Sequence, residues 1–193
     1  VNAEGLTETA RLVDEVGASC TTIEASAADE RAMDEIIGRC VSDHGGLEVM
    51  FANAGVIGEF ARVPDLKIDQ FRRLLEVNLI GVLIAIQGAA RVMKDGGSIL
   101  CTASVAGLRS GAGPSPYSAS KAGVINLVQT AANQLGGTGI RVNAICPGLI
   151  ETGMTQILFD AARSAGKEGK IGQLNPTRRA GDSSEIASVA AFL

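Results

Sequence analysis

Ser98-Ile99-Leu100-Cys101-Thr102 and Ile140-Arg141-Val142-Asn143-Ala144-Ile145 stand on either side of a stretch, Pro116 to Leu135, in which Val124, Leu127, Val128 and Ala131 recur at helical spacing. The first run follows the breaker Gly96-Gly97, and the second is closed by Pro147-Gly148. Runs this short and apolar read as buried strands, and Gly136-Gly137 stops the helix between them. A strand, a crossover helix and a second strand make a right-handed unit with parallel strands. Upstream, Leu47 to Ala52 is another short apolar run, and 67–94 reads as one long helix carrying Phe71, Leu74, Leu75 and Asn78. Asp29 caps a helix with Met33, Ile36, Ile37 and Cys40 on one face, ended by Gly45-Gly46. Ala18 to Ala25, with Thr21, Thr22 and Ile23, is strand-like, and 3–16 is a helix with Leu6, Ala10 and Val13 inward. Downstream, 151–180 reads as a mobile polar loop with short helices, and Asp182 caps a last helix from about Ser183. Alternation of this kind predicts an α/β fold, a parallel sheet covered on both faces, in a single domain over 1–193.

Composition narrows the function classes. The 193 residues are 46% hydrophobic and 20% charged, with 24 glycines and few aromatics, which suits a globular domain with close backbone packing. The net charge is −4, and basic residues are scattered, with no run longer than Arg72-Arg73 or Arg178-Arg179. Nucleic acid, whose phosphates need a concentrated basic face, is not an expected partner. No stretch of ~18 uninterrupted apolar residues occurs, so no membrane span is expected, and 1–20 lacks the pattern of a secretory signal. Cys20, Cys40, Cys101 and Cys146 have no C-x-x-C spacing and read as reduced core thiols of a cytoplasmic chain. His44, the only histidine, sits in a polar turn, leaving no histidine-based metal site and no Ser-His-Asp triad.

Ligands of open parallel sheets bind at the carboxyl ends of the strands. Three ends are chemically distinctive here: Asn53-Ala54-Gly55, Ser104, and Pro147-Gly148-Leu149-Ile150-Glu151-Thr152. The only tyrosine, Tyr117, begins a helix, with Lys121 one turn later on the same face. An ammonium beside a phenol favours the phenolate and lowers the tyrosine pKa, so the pair can serve as a general acid/base. Ser104 can hydrogen-bond a carbonyl oxygen. Asn78 lies in an apolar helical stretch, either as a satisfied structural amide or as a kink that holds a water.

Together these residues resemble the short-chain dehydrogenase/reductase family. Its Asn-Ala-Gly matches Asn53, Ala54 and Gly55, and its helix asparagine matches Asn78. Its serine, thirteen residues before the tyrosine, matches Ser104. Its Tyr-x-x-x-Lys matches Tyr117 and Lys121, and its Pro-Gly-x-Ile-x-Thr matches Pro147, Gly148, Ile150 and Thr152. The resemblance implies a Rossmann-like doubly wound fold and an NAD(P)-dependent enzyme interconverting an alcohol and a ketone. Tyr117 would move the proton, Lys121 would lower its pKa and bind the nicotinamide ribose, and Ser104 would hold the substrate oxygen. Asn78 would hold a water linking Lys121 to solvent. Thr152 and the Ile150 backbone would grip the carboxamide, and Asn53 to Gly55 would pack near the adenosine.

The family's opening strand and glycine-rich phosphate turn have no counterpart, and neither has its final strand, so the resemblance implies a fold incomplete at both termini. In the family order 3-2-1-4-5-6-7 the strand at 18–25 would lack its neighbours, and a chain of this extent alone would be inactive. Ser26 stands where an adenine-facing Asp is usual. The position choosing between cofactors falls before Val1. No Arg or Lys precedes Arg11, which favours NAD, with NADP as the alternative. The pocket candidates are Val105 to Arg109, Gly111 to Ser115, Leu149 and loop 153–175. They are mostly small or apolar and suggest a modest, uncharged carbonyl compound. In the family the helices matching 67–94 and 117–135 pair across a twofold axis, which implies a homodimer or homotetramer. Apolar residues beyond one stripe, among them Ile84, Ile86, Ile125 and Val128, fit that arrangement. The rival reading is a non-catalytic Rossmann-fold binding or regulatory protein, and the four catalytic-type residues count against it.

Overall fold

A computed structural model describes residues 3–173 and 175–193. Helices α1 (Ala3–Glu15) and α2 (Glu30–His44) precede strand β1 (Val49–Ala52). Then come α3 (Ile68–Leu75), α4 (Gly81–Val92), β2 (Gly97–Thr102), α5 (Ser115–Gln134) and β3 (Ile140–Ile145). Helices α6 (Gln156–Ser164) and α7 (Ser183–Phe192) follow. The sheet is parallel in the order β1-β2-β3, with Val49 beside Ser98 and Gly97 beside Ile140. Sequential parallel order leaves each carboxyl end on the same edge.

The caps read from sequence are in place. Asp29 accepts the Ala32 N–H at the start of α2, and Gly45 closes that helix at φ 86°, a left-handed conformation open to glycine. Asp182 and Glu185 form a reciprocal capping box on α7. Ile99, Cys101, Val124 and Ala89 are fully enclosed between α4, α5 and the sheet. Burying Ile99 or Val124 contributes about 1.5–3 kcal/mol by taking the side chain out of water.

Several expectations are corrected. Residues 18–25 form no strand, because no described strand lies alongside to pair their backbone groups. Cys20 in that stretch is exposed, so it is no core thiol; all four cysteines are free. The helix predicted over 67–94 is interrupted by a π turn at Glu76–Ile80, centred on Asn78. β1 is not covered on both faces: Val49 and Phe51 alternate outward at 62% and 41% exposure. Ile86 and Val128 lie in the chain's own core and the half-buried Ile125 packs against it, which leaves only the half-buried Ile84 of the four residues associated with a partner. By length and composition alone Ile68–Val92 could cross a membrane. Its buried Asn78, Val82, Ala85, Ile86 and Ala89 instead pack it as a core helix. Val1 and Asn2, part of the stretch used to choose a cofactor, lie outside the described residues.

Candidate active site

A cleft of about 620 Å³ opens along the carboxyl edge of the sheet. Asn53, Ala54 and Gly55 line it after β1, and Thr102, Ala103 and Ser104 after β2. Tyr117 and Lys121 enter from the first turns of α5, and Pro147, Gly148, Ile150 and Thr152 follow β3. Every residue singled out from sequence is in this wall except Asn78, which stands behind it.

Lys121 is 2% exposed, and its ammonium donates to the Thr102 carbonyl at 2.6 Å. The Thr102 hydroxyl donates to Asn53 Oδ1 at 2.7 Å. Thr102 thus ties two expected site residues together, although as the last apolar-run residue of β2 it carried no chemical signal of its own. Burial lowers the Lys121 pKa to about 8, against smaller opposing influences of Cys101 and Cys146. Burial likewise pushes the Cys101 thiol up to about 12 and raises that of Cys146, so neither offers a thiolate near neutral pH.

Tyr117 departs from expectation. Its pKa is raised, chiefly by burial, with the Ser104 hydroxyl pulling the other way. Lys121 Nζ lies 5.7 Å from the Tyr117 ring centroid. In this state desolvation of the phenolate outweighs any help from the neighbouring ammonium. Ser104 is itself buried, its Oγ accepting the Ala106 N–H at 3.1 Å, which fixes the hydroxyl beside the ring.

Asn78 is wholly buried at the π turn. Its Oδ1 accepts the Val56 N–H at 2.8 Å, and its Nδ2 donates to the Val56 carbonyl at 2.8 Å and to Ser120 Oγ at 3.2 Å. The amide is therefore a clamp on the loop after Asn53-Ala54-Gly55, and its side chain is committed to protein. Gly55 fits beneath it: a Cβ there would sit 3.4 Å from Asn78 Oδ1 and 3.5 Å from Lys121 Nζ.

Gly107 seats α5 on the loop after β2. A Cβ at this position would lie 2.6 Å from the Lys121 carbonyl carbon and 2.7 Å from the Ala122 nitrogen, both rigid helix backbone. Gly107→Ala is expected to cost about 1–3 kcal/mol, because the loop and α5 must separate. Urea unfolding of the variant checks this; an unchanged midpoint would show that the backbone yields freely.

A second cavity of about 370 Å³ shares Ser104, Tyr117, Gly148, Met154 and Thr155 with the cleft. Of the predicted pocket segments, Val105, Arg109, Gly111 to Pro114, Leu149, Met154, Thr155, Leu158, Lys170 to Gln173 and Asn175 line it. Leu174 lies outside the described residues. Ala106 and Leu108 do not line it; the first is buried and the second is on the surface. Ile57 and Phe60 also line it and were not anticipated, since nothing but their apolarity marks them in that loop.

The family model described as enoyl-(acyl carrier protein) reductase matches residues 1–193. Levodione reductase of Leifsonia aquatica is 33% identical over 202 residues, covering 100% of this chain and 75% of the relative. Cis-4-hydroxycyclohexanecarboxylate dehydrogenase of Sinomonas cyclohexanicum is 33% identical over 193 residues, covering 99% and 76%. The crystal structure of levodione reductase superposes with a TM-score of 0.92 at 31% identity, covering 100% of this chain and 78% of that one. A short-chain dehydrogenase from Burkholderia cenocepacia in complex with NADP gives 0.83 at 31% identity, covering 98% and 75%. NAD+-bound xylitol dehydrogenase gives 0.85 at 32% identity, covering 100% and 79%.

Proposed function

The chain belongs to the short-chain dehydrogenase/reductase family, and from that premise we propose that its NAD(P)-dependent interconversion of an alcohol and a ketone runs through Tyr117 as the proton-transferring group. The observation that carries this reading is that Ser104 and Tyr117 line both cavities. Their hydroxyls therefore stand where a molecule in the larger cleft would meet one in the smaller cavity.

The larger cleft suits the nicotinamide-ribose end of a dinucleotide. An ammonium has three donors, and Lys121, though buried, uses one of them on Thr102. The vicinal hydroxyls of a ribose suit the other two. When bound, the cofactor takes up or supplies the hydride. Tyr117 donates its proton to the carbonyl oxygen in reduction, and its raised pKa keeps the phenol protonated for that step. In oxidation the phenolate accepts the alcohol proton, and below about pH 8, where Lys121 still carries its proton, that charge favours the phenolate. Ser104 donates a hydrogen bond to the same substrate oxygen. Thr152 and the Ile150 backbone hold the carboxamide beside Pro147 and Gly148, and Asn53, Ala54 and Gly55 flank the adenosine side. Asn78 acts by holding the Val56 loop through both atoms of its side-chain amide.

NAD is the preferred cofactor in this reading. Arg11 is already paired with Glu8 and Glu15 and so is a poor partner for a 2′-phosphate. Secondary alcohols on six-membered rings are the first substrates to offer, given the named substrates of the relatives. The outer faces of α4 and α5, with the half-buried Ile84, are the surface through which a homodimer or homotetramer would form.

The test is growth of reduced-cofactor absorbance when the full-length protein is given cyclohexanol with NAD or NADP. Turnover is expected with a kcat/KM at least tenfold higher for NAD, about 1.4 kcal/mol of discrimination. A tenfold preference for NADP would reverse the cofactor assignment. No turnover with any secondary alcohol or ketone would remove the catalytic reading.

A further inference from the structure

The second cavity holds two positive charges and no negative one. Arg109 and Lys170 line it, and no Asp or Glu does among the described residues. Neither cation is neutralised elsewhere, since neither side chain makes an ion pair or hydrogen bond among the described residues. Glu168, two positions from Lys170, is already engaged with Arg163 at 2.9 Å, and Glu151 bonds the same guanidinium at 2.6 Å. A shallow groove continues past Phe60 and Gly111 to Pro114, and it adds Arg62 with again no acid in its wall. This local excess of cations occurs in a chain whose acids outnumber its bases by 21 to 17. The remaining wall is apolar or small, with Ile57, Phe60, Val105, Leu149 and Leu158.

We infer that the substrate is an anion: an apolar, ring-sized alcohol or ketone bearing a carboxylate, whose carboxylate is held by Arg109 and Lys170 while its carbinol carbon meets Tyr117. This names the substrate class of the site proposed above and rests on that reading. It also replaces the uncharged compound expected from sequence. Arg109 and Lys170, 61 positions apart, both fall in segments expected from sequence to line the pocket, but which side chains of those segments face one cavity together is set by the fold. A guanidinium and an ammonium facing a carboxylate give charge-assisted bonds that a neutral isostere cannot form.

Calorimetric binding of cyclohexanecarboxylate and cyclohexanecarboxamide to the full-length protein tests this without any turnover. The carboxylate is expected to bind at least tenfold tighter than the amide. Arg109→Gln and Lys170→Gln are each expected to remove threefold or more of that preference and leave amide binding unchanged. Both side chains are exposed and unpaired, so the amide serves as the control that the cavity has stayed intact. Equal affinity for the two ligands, an equal effect of the variants on both, or no binding of the carboxylate would overturn the inference. Loss of oxidoreductase activity on neutral and acidic alcohols alike would instead sink the catalytic reading, and the binding result would stand apart from it.

Discussion

Tyr117→Phe in the full-length protein lowers kcat by about 10²–10⁴-fold, the range typical of losing a positioned general acid/base, while the cofactor dissociation constant moves less than threefold. The substitution deletes one hydroxyl from a half-buried ring and leaves that ring's approach to Lys121 in place. Apart from the Tyr117 hydroxyl itself, no group lining the cleft is changed, so binding and chemistry separate. The pH profiles carry a sign as well. Because burial raises the Tyr117 pKa, ketone reduction, which needs the phenol, persists into alkaline solution. Alcohol oxidation, which needs the phenolate, climbs with pH until that tyrosine has titrated. Stopped-flow turnover of wild type and variant checks the first claim, and paired pH–rate curves check the second. A variant retaining a tenth of wild-type kcat, or an oxidation rate that falls on going alkaline, would take Tyr117 out of the proton path.

The catalytic wall was legible because its members are local. Asn53-Ala54-Gly55, Ser104 and Pro147 to Thr152 each follow directly on a strand, and Tyr117 and Lys121 are one helical turn apart, so a parallel sheet was enough to bring them to one edge. What escaped depends on burial or on distant pairing. The direction of the Tyr117 shift follows from how much water is excluded, and spacing alone does not contain that. Thr102 bridges Asn53 and Lys121 across 19 positions on one side and 49 on the other. Residues 18–25 have strand-like composition, yet a strand is a property of a pair, and composition cannot supply the partner. The π turn shows the same limit. Its apolar period looks continuous from 67 to 94, and only the clamp from Asn78 to Val56 gives a reason for the extra residue in that turn.

Lys121→Met separates stability from function in opposite directions. A lysine held at about 8 in place of its usual 10.5 disfavours folding by about 3 kcal/mol wherever both states are protonated, that is below pH 8. Between pH 8 and 10.5 the unfolded chain binds the proton and the folded one does not, so wild-type stability rises with pH across that window. Methionine fills the same space without charge and forgoes the charge-assisted bond to the Thr102 carbonyl, a loss of about 1.5–3 kcal/mol. The cofactor-free variant should therefore be more stable than wild type by up to about 2 kcal/mol at pH 7, and that advantage should be lost by pH 10.5. Catalysis moves the other way. Without the ammonium, the two donors left for a ribose are gone and the phenolate loses its counter-charge, so cofactor affinity falls about tenfold or more and kcat falls by about 10²-fold or more. Urea unfolding at pH 7 and at pH 10 reads the first half, and cofactor titration with turnover reads the second. If the stability difference is the same at both pH values, the buried charge is not what the fold is working against. If cofactor affinity is untouched, Lys121 is a structural residue and the cleft is held by other groups.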